Sequence, residues 1–188
     1  MRRTLLPAFV VMVGLGGAIP NRVTAQEVRE DDCGFDRWPV KIMRDLDAAK
    51  IDRTAIATTI AALATIAIPE IPYPRSRRIA PQELQVFRVR AIIYQITVEN
   101  DRDWHLVLHD PANENVSMIG EIPDPACVDD PSLKAVLFEA RRVLRTIPRH
   151  GLADVDGVGF FDFIHSQRGR PRNGFELHPV LRIKRAPE

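Results

Sequence analysis

The stretch LQVFRVRAIIYQITVEN, residues 84–100, alternates apolar and polar positions with a period of two and then changes phase. Phe87, Val89, Ala91 and Ile93 share one face, with Arg88 and Arg90 opposite. Further on, Ile92, Tyr94, Ile96 and Val98 form an apolar set on the other face. The pattern predicts one long strand. A strand that changes its buried face is bulged or bent and passes from one sheet to another. Two polar turns follow, NDRD (100–103) and PANEN (111–115). They separate WHLVLHD (104–110) and VSMIGEI (116–122) as further strands, which predicts a three-stranded meander.

The period then changes to that of a helix. Asp130 is an N-cap with Pro131 at the first helical position. Leu133, Val136, Leu137, Ala140 and Leu144 make one apolar stripe. Arg141, Arg142 and Arg145 suit the negative end of the helix dipole. Two more strands are predicted, Val155–Phe163 and Phe175–Lys184. In the last, Leu177, Leu181 and Ile183 share one face, so Glu176 and His178 are expected outside the apolar side. The order strand-strand-strand-helix-strand-strand, with a bent first strand, predicts a mainly β fold with one amphipathic helix: a five-stranded OB-like barrel. A two-layer α+β sheet is the alternative.

The barrel domain is expected over 81–185. Residues 26–80 predict an N-terminal extension with short helices and a Pro-rich linker. One helix is expected near Asp45–Ile51. A second is capped by Thr58 or Thr59 and runs to about Thr65. Pro69, Pro72 and Pro74 favour an extended run.

The start of the chain changes the picture of where this fold works. Arg2 and Arg3 precede an apolar run, Leu5–Ala18, and Val23-Thr24-Ala25 offers a small-residue cleavage site. Residues 1–25 therefore predict a signal peptide, with Gln26 as the new N-terminus and a secreted or periplasmic product. The run falls short of the roughly 20 residues a membrane helix needs, so no membrane segment is expected after cleavage. The chain has 26 Lys and Arg against 25 Asp and Glu. Loss of Arg2, Arg3 and Arg22 leaves a slightly acidic product, which excludes a strongly basic nucleic-acid-binding surface but not a local basic patch. The two cysteines, Cys33 and Cys127, predict a disulfide in an exported chain. It would tether the extension and close a loop of roughly 95 residues. Free thiols or a metal site are the rivals, although no CxxC is present.

The runs WHLVLHD, MIGEIPDPACV, GVGFFDFIHSQRG and NGFELHPVLRI carry the patterns HLVLxD, EIPDPxC, GxGFFDxxH and ELHPVL. Together they resemble an uncharacterised family of exported bacterial proteins, over about Cys33–Ile183. The resemblance implies shared positions at Cys33, Cys127, His105, Asp110, Glu121, Asp162, His165, Glu176 and His178. It supports the OB-like barrel and export, and it implies no activity. Ser166-Gln167-Arg168 departs from a family loop that is Gly-Gln-Thr-Gly-like, so the basic residues Arg168, Arg170 and Arg172 are expected to be specific to this chain.

Two groups of residues are candidates for chemistry. His105, Asp162, His165, Glu176 and His178 form a candidate polar cluster. Glu176 and His178 lie two apart on one strand and face the same way. His105, His165, Glu176 and His178 are then candidate ligands of a divalent metal, the one cofactor these residues suggest. Such a centre could serve a nuclease-like hydrolase through an activated water. No HExxH or HxH accompanies them, and the same residues can simply tie a hairpin together. Arg168, Arg170 and Arg172 form a candidate anion-binding loop between the last two strands, which in OB barrels borders the ligand face. No serine stands in a nucleophile-elbow setting. The leading expectation is a non-catalytic binding or accessory module for a polyanion, glycan or protein partner, with nucleic acid or glycan at the OB-type face. The alternative is the metal-dependent hydrolase.

Overall fold

The computed structural model describes residues 33–34, 36–164 and 168–187. The expected signal peptide and His165 lie outside them. Six strands form one sheet: β1 (Asp52–Thr58), β2 (Gln85–Val98), β3 (Trp104–Asp110), β4 (Asn113–Ile122), β5 (Leu152–Phe161) and β6 (Phe175–Arg185). The strand order is β1-β2-β3-β4-β6-β5, and β5 also pairs with β2. Five strands therefore close into a ring. The main helix, α3 (Pro131–Leu144), falls between β4 and β5, and β4 meets β6 in parallel. This is the mainly β, OB-like barrel expected. Among the described residues no helix is long and apolar enough to cross a membrane.

β2 makes closure possible. Its first half pairs with β5 through Val86–Ile92, and its second half with β3 through Ile92–Val98. The register slips between Ile93 and Gln95, as a bulge does. The change of phase thus marks a bend around one barrel, and the second apolar set is not buried in another sheet. Tyr94, Ile96 and Val98 are 37%, 43% and 59% exposed.

Barrel-facing residues Val89, Ala91, Ile93, Leu106, Leu108, Met118, Ile122, Leu177, Val180 and Ile183 join Leu133, Leu137, Ala140 and Leu144 of α3 in one core. Asp130 caps α3 by accepting from the Ser132 and Leu133 amides. Val136 of the expected stripe stays exposed. β6 departs from simple alternation. Its register against β5 shifts twice, so Leu177, Val180 and Ile183 all turn inward at a spacing of three. Glu176 and His178 lie opposite the core face, as expected, but are buried there, 1% and 0% exposed. Both faces of β6 are covered there because other segments pack over the outside of the barrel.

The extension supplies that cover. Its helix α1 (Trp38–Lys41) begins at Pro39-containing sequence earlier than the expected Asp45–Ile51 helix, where only a single tight turn, Ala48–Lys50, forms. Helix α2 (Ile60–Leu63) starts at Thr59, whose side chain accepts from the Ala62 amide. β1, which the sequence pattern did not predict, lies parallel to β2 and is exposed along most of its length. The disulfide Cys33–Cys127 ties the extension to the segment before α3. A closed loop of this size is worth about 4 to 5 kcal/mol in the chain-entropy picture. Next to it, Gly34 lies flat on Trp38; a Cβ there would come within 2.7 Å of the ring.

Arg37 locks the extension down. Its guanidinium donates to both oxygens of Glu83 at 2.6 Å and to the carbonyls of Pro74, Arg77 and Phe161. Glu83 in turn accepts from the Ile79 and Phe161 amides. A second buried pair, Arg78–Asp45, lies beside it, and Arg78 also reaches the Val40 and Glu83 carbonyls.

Candidate functional site: a buried carboxylate and histidine patch

Along β3, Leu106 and Leu108 face the barrel interior, so His105, Val107 and His109 face outward. Across the hairpin, His105 sits directly opposite Glu121. β6 then brings His178 to the other side of Glu121. His105 Nδ1 lies 3.2 Å from Glu121 Oε1, and His178 Nδ1 lies 3.0 Å from Glu121 Oε2. The first contact is a hydrogen bond. The second is off the hydrogen-bonding direction, and neither His178 ring nitrogen has a hydrogen-bond partner. Glu176 Oε1 is likewise buried and unpartnered. Phe160 closes the patch against His178, with ring centres 5.4 Å apart.

Further acids converge from the loop after β2. Glu99 Oε1 is 3.4 Å from His105 Nδ1. Asp103 is 2% exposed and accepts the Asp124 amide at 2.8 Å. Lys41, at the end of α1, sits over Phe160 and answers the charge of Glu121, Asp162, Glu176, Asp103 and Glu99. Five carboxylates thus face one ammonium.

The electrostatics record that imbalance. Burial, then Asp101 and Glu121, push the Asp103 carboxyl up to about 8. Burial and the neighbouring Glu121 and Asp162 raise Glu176 well above the usual carboxyl range. Burial also pushes Glu121 upward, but His178, His105 and Lys41 outweigh it and hold Glu121 well below that range. Burial draws on Lys41 too, yet the surrounding carboxylates keep it a firm ammonium. Desolvation opposes the charged form of His105, and Glu121, Glu99 and the Arg168 carbonyl more than offset it. Glu121 is therefore the anion at the centre, and the other acids compete for protons or cations.

Of the sequence candidates, His105, Glu176 and His178 come together here, and Asp162 acts on the same patch while itself 5% exposed. The arginine side chains do not join it, although the Arg168 carbonyl acts on His105. The segment after β5 instead lies along the outside of β3 and β4. Ser117 Oγ donates to the Gly169 carbonyl at 3.0 Å. Gly169 has φ +85°, and a Cβ there would meet Val107 Cγ1 at 2.5 Å, so glycine is required both by backbone and by space. Arg168 and Arg172 are exposed, Arg168 reaching Gln95 at 3.4 Å; Arg170 is half-buried with Nη1 unpartnered.

No family model matches the chain, and no curated protein matches it. Solved structures with a similar chain path include the "putative aspartyl-tRNA synthetase from Leishmania major Friedlin", at 13% identity and TM-score 0.44, and the asparaginyl-tRNA synthetase of Entamoeba histolytica, at 11% and 0.42. Each match covers 73% of this chain, but only 22% and 25% of the respective synthetase chains. The chain therefore spans about a quarter of the length of either.

Lys41, Glu99 and Asp103 were not singled out by the sequence. Glu121 entered only through the family resemblance. One local signal points to it independently: in a hairpin centred on the PANEN turn, the residue opposite His105 is Glu121. Lys41 had no such signal, since it arrives from a segment more than sixty residues away from His105 in the chain.

Proposed function

We propose that the chain is an exported, non-catalytic OB-like module that binds a polyanion along the rim formed by Arg168, Arg170 and Arg172. The observation that carries this reading is the path of that segment. The Ser117–Gly169 hydrogen bond and the close seat of Gly169 on Val107 hold it against the outer side of β3 and β4. In OB barrels this side, with the loop between the last two strands, is where oligonucleotides and oligosaccharides bind. Arg168 and Arg172 are free to reach solvent, while Arg170 is half-buried between them in sequence. On the neighbouring strand β2, Tyr94 stacks with His109 of β3 at 4.2 Å and with His150 at 5.0 Å, a partly exposed aromatic group beside β3. Guanidinium groups suit phosphate, sulfate and carboxylate alike, so the class of ligand is set by charge, with nucleic acid and anionic glycan as its members.

The metal-dependent hydrolase fits less well. His178 and Glu176 are 0% and 1% exposed, and a substrate must touch the group that transforms it. Export and the family resemblance belong to this proposal as well. They are checked by the intact mass of the chain recovered outside the cytoplasm, which should begin at Gln26.

Binding is tested by fluorescence anisotropy with labelled heparin oligosaccharide and with labelled single-stranded DNA, at several salt concentrations. The triple variant Arg168→Ala/Arg170→Ala/Arg172→Ala should lose affinity. For DNA the log–log salt slope should fall by about 0.7 for each phosphate contact removed. Unchanged binding of both probes by the triple variant rules out this rim, and a protein partner becomes the remaining reading.

A further inference from the structure

We propose that Asp103, Glu121 and His178 hold a divalent first-row metal ion of the zinc type on the outer face of the barrel, independently of whether the arginine rim binds an anion. One ligand atom from each of these three buried residues lies within 4.8 Å of the others. Donors to one zinc ion sit about 2.0–2.2 Å from it, so two of them are at most about 4.4 Å apart. The three side chains are thus close to a common centre, and small rotations bring them onto it.

Convergence of acids alone would not make a site; His178 adds the second observation. Its ring is fully buried; Nε2 has no partner, and Nδ1 has only the poorly directed 3.0 Å contact with Glu121 Oε2. Buried polar side-chain atoms are nearly always satisfied, and one left unsatisfied is destabilising. A metal bond to one nitrogen removes that cost. Lys41 makes no hydrogen bond to the ring; it supplies one positive charge where five carboxylates gather.

The neighbouring contacts have the character of an outer shell. His105 hydrogen-bonds Glu121 Oε1 at 3.2 Å, which leaves Oε2 turned toward His178. The Asp124 amide holds Asp103 Oδ1 at 2.8 Å, so the carboxylate is oriented without consuming its other oxygen. Partners of this kind fix the angle of a ligating group. A second trio, Glu99, His105 and Glu121, also lies within 4.8 Å. It is the weaker candidate, because the Glu99 side chain is 36% exposed and His105 is already hydrogen-bonded. One imidazole nitrogen with two carboxylate oxygens favours zinc-type ions over calcium or magnesium. The Cys33–Cys127 disulfide leaves no thiolate among the described residues to compete.

The test uses the full oxidised chain, tag-free and stripped with chelator. Co2+ is titrated while the visible absorption of the ion is followed, and Zn2+ is titrated against a chromophoric chelator. The expected result is one equivalent of either ion per chain, a rise in Tm with Zn2+, and no displacement by millimolar Ca2+. Asp103→Asn keeps the shape of the side chain and should lower Zn2+ affinity by at least about 100-fold, beyond the 10–100-fold typical of outer-shell residues; His105→Gln should stay within that smaller range. The wild-type titration stands by itself if a variant fails to fold. Absence of stoichiometric Zn2+ or Co2+ uptake by the wild type overturns the proposal, as does Zn2+ displacement by Ca2+. A larger loss from His105→Gln than from Asp103→Asn overturns the choice of ligands.

Discussion

Two buried ionic clusters lie on this barrel, and they are balanced differently. In the first, Arg37 meets Glu83 and Arg78 meets Asp45. Every Arg37 nitrogen donates, and Glu83 accepts from two further backbone amides. Charge cancels one for one. In the second, five carboxylates share Lys41 and two imidazoles, and atoms of Glu176 and His178 have no hydrogen-bond partner. Burying an ion pair is tolerable only when its remaining donors and acceptors are used. The Arg37 cluster meets that condition and reads as a clamp that fastens the extension. The Glu121 cluster does not meet it, which is the reason a metal ion is proposed there.

The comparison breaks most readily at the clamp. Arg37→Ala leaves Glu83 buried and unpaired. It should cost about 3–5 kcal/mol, read as a lowered midpoint in chemical denaturation. Arg37→Lys should recover only part of this, because an ammonium cannot span both Glu83 oxygens and three carbonyls. A loss under 1 kcal/mol for Arg37→Ala would mean that the clamp is not what holds the extension.

The underbalanced cluster should show itself through pH. Asp103 titrates at about 8 in the fold and near 3.9 when unfolded. Between those values the folded chain holds a proton that the unfolded chain has released. Linkage then requires Asp103 to erode stability as pH rises from about 4 to about 8, by an amount on the order of a few kcal/mol. Glu176, also raised, acts in the same direction. Metal-free Asp103→Asn should therefore be more stable than the wild type at pH 8 and should show a flatter stability profile over that window. Parallel profiles for the two chains would show that Asp103 stays ionised and solvated.

The smallest effect is expected outside both clusters. Arg44 and Asp129 form a 2.7 Å pair, but their side chains are 66% and 82% exposed. Arg44→Ala should change stability by less than about 1 kcal/mol, and less still in high salt. An effect comparable to that of Arg37→Ala would remove burial as the distinction between the pairs.

Much of the barrel was legible because it rests on local periodicity. The meander, the Asp130 cap, the α3 stripe and the phase change in β2 all follow from neighbours within a few residues. β1 escaped because Asp-Arg-Thr-Ala-Ile-Ala-Thr is mostly exposed and carries little apolar alternation; backbone pairing with β2 makes it a strand. Glu176 and His178 do lie opposite the core face, but Leu181, expected on that core face, gives its place to Val180. Counting by twos fails across two register shifts in β6.

The sequence by itself determined the order of elements, and with it a five-stranded ring carrying one helix, because period and capping are local properties of the chain. It also pointed to the one cross-link, since two cysteines allow a single pairing within the chain, and the structure decided for it over free thiols or a metal site. Only the tertiary structure decided which polar residues meet. Lys41, Asp103, Glu121 and His178 come from four separate segments. Their significance lies in being buried together, and burial is a property of the packed whole: the extension must fold over the barrel before these charges lose water and act on one another.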